Sequence, residues 1–155
     1  MNILALDLGT KTGWAFSNNG AFASGTKNFS TNKTAARGLR FLNFRRWLAE
    51  ILTKRSVDLV VFEDVMGHIG TYAAHAYGGF VAHLTALCEE KKIPYRGFYV
   101  KTIKKFIACS GNASKEDVIA AVERKGFRPI DDNEADSIAI LLLALDTPNL
   151  QFELK

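Results

Sequence analysis

The sequence predicts an α/β fold, a five-stranded mixed sheet with helices on both faces, on three observations. Residues 2–29 read as a tight antiparallel meander. Two later apolar strands are separated from it and from each other by long helical patterns. The chain then runs through three helical segments, the last apolar all round. The order βββαβαβααα places the late strands parallel to the first by right-handed crossovers.

Residues 2–8 (NILALDL) form an apolar run that ends at Gly9, as a buried strand would. Residues 13–17 and 21–29 read as two more strands, joined by Asn18-Asn19-Gly20, a strong hairpin turn. Residues 34–54 read as a long helix with Phe41, Phe44, Leu48 and Ile51 on one face. Residues 57–63 (VDLVVFE) suit a strand buried on both sides. A helix over 71–91, a strand over 95–100 and a short helix over 101–108 follow. Ser114 caps a helix that runs to Arg124, with Asp117 three residues on. The last helix, 132–145, carries IAILLLAL and must lie against the sheet.

The 155 residues fit one domain, 1–155, and 48% hydrophobic with 23% charged residues is the make-up of a globular protein with a real core. No apolar run is long enough for a membrane helix. Asp7 interrupts the opening segment too early for a signal peptide. The expected location is the cytoplasm. Cys88 and Cys109 lack metal or disulfide spacing and read as buried free thiols. Net charge is +4 and the pI about 9.1. Cations gather at Arg37, Arg40, Arg45, Arg46, Lys54 and Arg55, and at Lys101, Lys104, Lys105 and Lys115; acids gather at Glu63-Asp64 and at 131–136. A basic chain with carboxylates concentrated at a few points suits metal ions working beside phosphates.

Three carboxylates stand out. Asp7 ends an apolar strand, where an isolated charge needs a partner or a metal. It reads as a turn cap or a metal ligand, and the repetition of the pattern favours the ligand. Glu63 ends the central strand, where open α/β sheets place their sites, and Asp64 alternates to the other side. Asp136 lies on the last helix, with Asp132 and Asn133 four and three residues before it on the same face. Asp131 and Glu134 are spaced as a capping box. Oxygen-only ligands select Mg²⁺ or Mn²⁺. Two such ions about 3.5–4 Å apart can activate water and stabilise the leaving oxygen of a phosphodiester.

Four segments, LALDLGTKTGWA, VVFEDV, VKTIKKFIACSGNASKEDV and DDNEADSIAI, resemble RuvC-type Holliday-junction resolvases, the phage forms included, over nearly the whole chain. The resemblance implies a ribonuclease H-like fold, a homodimer, and paired nicks across a four-way DNA junction made with Mg²⁺. It implies that Asp7, Glu63 and Asp136 are metal ligands, and that Lys104 and Lys115 serve DNA binding and catalysis. The position three before the last acid, Asp or His in the family, is Asn133 here. On the sequence alone Asn133 faces the metals, with Asp132 as cap or outer partner. Met66 stands near where the family often carries an aromatic that opens the junction.

The remaining candidates divide between function and packing. Lys101, Lys104, Lys105, Lys115, Arg37 and Arg40 are candidate DNA contacts, although arginines on a long helix are as readily its solvated face. Small residues around Gly78 suit a dimer interface or simple packing on the sheet. His75 and His83 read as surface or interface residues, His68 as a loop residue near the site, and Phe98 and Tyr99 as core. A YqgF-type RNA-processing nuclease shares the opening segment, but the lysine-bearing stretch favours RuvC. An actin-like ATPase needs two such domains and is rejected. A junction-binding protein without activity would have to leave three acids unexplained.

Overall fold

The structure, a computed structural model, describes residues 1–32, 34–67, 70–147 and 150. Five strands, β1 (Ile3–Asp7), β2 (Lys11–Asn18), β3 (Ala21–Asn28), β4 (Leu59–Asp64) and β5 (Tyr95–Tyr99), form a sheet in the order β3-β2-β1-β4-β5. The meander β1-β2-β3 is antiparallel, and β4 and β5 join it parallel to β1. The helices are α1 (Leu39–Lys54), α2 (Thr71–Lys91), α3 (Val100–Ala108), α4 (Lys115–Arg124) and α5 (Asp132–Asp146). Among the described residues no helix is long and apolar enough to cross a membrane.

Strand alternation divides the core in two. Ile3, Ala5, Leu59 and Val61 face α3, α4 and α5 through Ile103, Val118 and Ile138. Leu4, Leu6, Val60 and Phe62 face α1 and α2 through Phe44, Leu48, Phe80 and Leu84. In α5 nine residues are buried, which is why its body is apolar all round.

Two boundaries differ from expectation. Residues before Leu39 are not helical. Ala35 N–H donates to the Asn32 carbonyl (2.9 Å) and Leu39 N–H to the Ala36 carbonyl (3.0 Å), so the chain makes short turns. The apolar stripe begins only at Phe41, and helix-favouring alanines without a face to bury do not extend the helix. β2 begins at Lys11, two residues before Gly13, because Asn28 of β3 supplies it a partner. The cap of α4 is as expected: Asp117 N–H donates to Ser114 Oγ (3.1 Å) and Ser114 N–H to Asp117 Oδ2 (2.9 Å).

The neighbouring glycines of α2 differ in purpose. A β-carbon on Gly79 would lie 2.4 Å from the Phe41 ring, so this glycine lets α1 and α2 close together; one on Gly78 would meet nothing within 4 Å. Gly13 is tighter still, since a β-carbon there would lie 1.8 Å from the backbone carbonyl oxygen of Asn133. That obstacle is main chain and cannot rotate away. Gly13→Ala is therefore expected to destabilise the fold by about 3 kcal/mol, the upper range for overpacking. Denaturant unfolding checks this, and an unchanged midpoint would contradict the close approach.

Candidate active site

Asp7 is the last residue of β1, and Glu63 lies one residue from the end of β4. The strands are parallel, with Leu6 opposite Phe62, so Asp7 and Glu63 follow side by side. Both fall on the face shared by Ile3, Ala5, Leu59 and Val61, beneath α5. Asp136 and Asp132 come from the first turns of α5, and both press charge on Asp7. Asp64 turns to the other side, as expected, with its β-carbon 2.8 Å from where one on Gly97 would be. The acids thus meet at the carboxyl ends of parallel strands.

The start of α5 is tied to the sheet edge. Asp131 is the cap, and its Oδ1 accepts from Glu134 N–H (2.9 Å) and from Thr26 Oγ1 (2.6 Å). Glu134 is buried; it accepts from Ser24 Oγ (2.6 Å) and from Ile130 N–H (2.7 Å). Half of the expected capping box is therefore present, but Glu134 reaches past the cap residue to Ile130. Ser24 and Thr26 point the same way from β3, so two hydroxyls hold the helix in register. Asp132 is the first helical residue and not the cap, contrary to one of its two expected roles.

The cations separate into groups. Lys104 donates from Nζ to the Ala113 carbonyl (2.7 Å) and lies near Glu63 and Asp136. Lys115 opens α4 and is ion-paired with Asp132. Lys101 and Lys105 are exposed on α3. Arg37 and Arg40 are elsewhere, in a groove with Tyr72 and His75 on the α1–α2 side. Arg45 pairs with Glu90 (2.5 Å), Lys54 with Glu50 (2.5 Å), and Arg55 lies over Phe16 (5.0 Å), so these three serve the surface of the fold.

Three expectations need amendment or fall outside the described residues. Cys88 is buried, and burial pushes its thiol up to about 12, but Cys109 is exposed at the end of α3. Phe98 is core, whereas Tyr99 is exposed because the chain turns there into α3. His68 lies outside the described residues. His83 stacks on Phe41 (5.9 Å), and Met66 is exposed. Sequence reasoning missed Tyr77, whose hydroxyl donates to the Glu63 carbonyl (2.7 Å) and accepts from Val65 N–H (3.1 Å). It also missed buried Thr12, whose Oγ1 donates to the Gly9 carbonyl (2.7 Å) and ties the turn after Asp7. An aromatic two turns into the helix that follows an acid-bearing strand was the available signal for Tyr77.

Burial and mutual repulsion shape the charges. Asp7 is held well above the usual carboxylate range, chiefly by burial and then by Glu63, Asp136 and Asp132. Burial and Asp136 push Glu63 up to about 7; burial and Asp132 push Asp136 up to about 6. Asp132 is lowered by the hydrogen bond from Lys115. Among the described residues, no three acid, histidine or cysteine side chains are gathered closely enough to grip a metal ion as they stand. The raised carboxyls favour the fold when protonated. Their contribution is full below the ordinary values of 4.5 (Glu63) and 3.8 (Asp136), and is lost as pH rises through about 7 and 6. With chelator present, Glu63→Gln should unfold at a higher temperature than the unmodified protein at pH 8, and the gap should close at pH 4. Thermal unfolding at both pH values checks it; a gap independent of pH would show that Glu63 is not perturbed.

No protein-family profile and no curated protein sequence matches the chain. Solved structures do. Thermus thermophilus RuvC in complex with a Holliday-junction substrate aligns with a TM-score of 0.76 at 21% identity, over 92% of this chain and 91% of that one. The yeast mitochondrial Holliday-junction resolvase Ydc2 gives 0.61 at 15% identity, over 89% and 75%. The fowlpox virus resolvase with its substrate junction gives 0.57 at 14% identity, over 93% and 98%. The chain therefore has the ribonuclease H-like fold of the RuvC-type Holliday-junction resolvases.

Proposed function

We propose that this protein is a metal-dependent endonuclease that cuts branched DNA, four-way junctions above all. One observation carries the reading: Asp7, Glu63 and Asp136, from three separate elements, share a site where burial and repulsion hold their pKa values up, with Lys104 beside them. Two of the structures similar in fold contain Holliday-junction DNA, which supports the substrate.

The donor set fits Mg²⁺ or Mn²⁺, since it is oxygen only and carries uncompensated negative charge. Mg²⁺ commonly takes one or two carboxylates with waters and substrate phosphates, so a closed protein cage is not required. Asp7, Glu63 and Asp136 would hold the ions, two per site. Bound there, they would lower the pKa of water and stabilise the leaving oxygen. Asp132 is our candidate to complete the set in place of Asn133: Asp131 performs the capping, Asp132 bears the charge, and that charge reaches Asp7 and Asp136. Lys104, held by the Ala113 carbonyl and close to Glu63 and Asp136, would offer its ammonium to a phosphate bound beside those acids. Lys115, paired with Asp132, can exchange that partner for a DNA phosphate. Lys101 and Lys105 extend the cationic surface along α3.

With Mg²⁺ the protein should cut a four-way junction in preference to flap, duplex and RNA–DNA hybrid, and should cut none with chelator. Asp7→Asn, Glu63→Gln and Asp136→Asn should each lower the rate on the order of 10²–10³-fold while junction binding persists. Asp132→Asn should cost more than Asn133→Ala, and the reverse order would return Asn133 to the site. Cleavage of labelled substrates under single-turnover conditions measures all of these.

Two opposed cuts need two sites related by a twofold axis. We propose a dimer through α2, where Gly78, Ala82 and Ala86 are exposed along one face. Sedimentation should show a dimer, and Gly78→Glu, which meets nothing within its own chain, should give a folded monomer. A wild-type monomer both alone and on a junction would exclude this assembly.

A further inference from the structure

On the side of the sheet covered by α1 and α2, the segment after β3 and the first turns of these helices enclose a groove of about 690 Å³. This is within the roughly 300–1,000 Å³ of small-ligand pockets. Phe29 and Phe41 supply its apolar lining, set rigidly by edge contacts with Phe44 (5.5 Å) and Phe80 (5.1 Å). Tyr72 lines it too, with 74% of its surface exposed. Arg40 lies 5.8 Å from the Tyr72 ring centre and 5.5 Å from that of Phe41, and its Nη2 donates to the Tyr72 hydroxyl (2.9 Å). Among the described residues no lining residue is acidic, and neither Arg37 nor Arg40 is ion-paired with a carboxylate. A large exposed aromatic beside two unneutralised guanidiniums has the chemistry of a base face and its phosphate.

The groove and the acids are linked through the backbone at the strand ends, on opposite faces of the sheet. Thr10, on its wall, is three residues past Asp7, and its carbonyl accepts from Phe29 N–H (2.7 Å). His75 and Ala76 line it from α2, and the next residue, Tyr77, holds the Glu63 carbonyl. A DNA strand bound at the carboxylates would have this groove on the other side of the same strand ends. A paired, stacked base offers no free face to Tyr72, so only a nucleotide outside the stack can fill it.

We infer that this groove receives one unpaired nucleotide of the DNA strand, its base on Tyr72 and its phosphate on Arg37 and Arg40. The inference rests on the branched-DNA reading, because the ends of a duplex arm at a branch are where bases are readily unstacked.

Binding of a fluorescein-labelled pentathymidylate and of an abasic strand of the same length, followed by anisotropy in chelator, tests it on the full chain. Tyr72→Ala should weaken pentathymidylate about tenfold and leave the abasic strand unchanged, while Tyr72→Phe keeps most of the affinity. Arg40→Ala should weaken both strands. Equal binding of pentathymidylate by wild type and Tyr72→Ala would overturn the inference, as would equal weakening of the two strands. The measurement uses neither metal nor junction. Failure here with junction cleavage intact removes only the groove. Tyr72-dependent binding without junction cleavage leaves the groove and removes the nuclease.

Discussion

The first turn of α5 rests against the backbone of Gly13, at a distance that no other residue at that position would allow. Asp131 and Glu134 fasten the same turn to Thr26 and Ser24 of the edge strand. The approach and the two side-chain bonds together decide where Asp132 and Asp136 stand relative to Asp7. Each buried hydrogen bond of this kind is worth roughly 0.5–1.5 kcal/mol, more when a carboxylate accepts it. Their larger effect is geometric, because a slip of one helical residue would turn Asp136 about 100° away from the strand ends.

Fixing the acids so closely has an electrostatic cost. Asp7 has two like charges beside it in Glu63 and Asp136, with Asp132 adding a third. Lys115 neutralises Asp132, and Lys104 relieves Glu63 and Asp136, but neither removes the upward shift. A protein selected for stability alone would place apolar groups at these strand ends. Keeping acids under this repulsion marks the strand ends as a functional site, because perturbed carboxyls in a cleft commonly mark function.

The turn after Asp7 serves both sides of the sheet. Thr12 ties it back to Gly9, and Thr10 bonds Phe29 of the segment that leads to α1. Tyr77 does the same for β4, holding the Glu63 carbonyl from α2. The carboxylates lie under α5, with Lys104 and Lys115 beside them, and the arginine–aromatic groove lies by α1 and α2, so the strand ends separate two distinct charged sites.

Strand alternation and helical spacing are local properties, so the sequence by itself determined the element order, the parallel placement of β4, the buried α5, and the three acids at element ends. A hairpin written Asn18-Asn19-Gly20, and an Asp or Glu closing an apolar run, need no distant partner to be recognised. What depended on contact between remote segments was not legible. The cap of α5 was ambiguous between Asp131 and Asp132 until Thr26 and Ser24, more than a hundred residues earlier, selected Asp131 and Glu134 for anchoring. Gly13 read as the first residue of a strand, whereas it is room for the Asn133 backbone. Arg37 and Arg40 read as candidate DNA contacts or as a helix's solvated face, and only packing of α1 on α2 set them beside Tyr72 in a groove of their own. Side-chain pattern fixes what an element buries, but which charges become neighbours is decided by tertiary packing, because Coulomb energies depend on distances that no local pattern encodes.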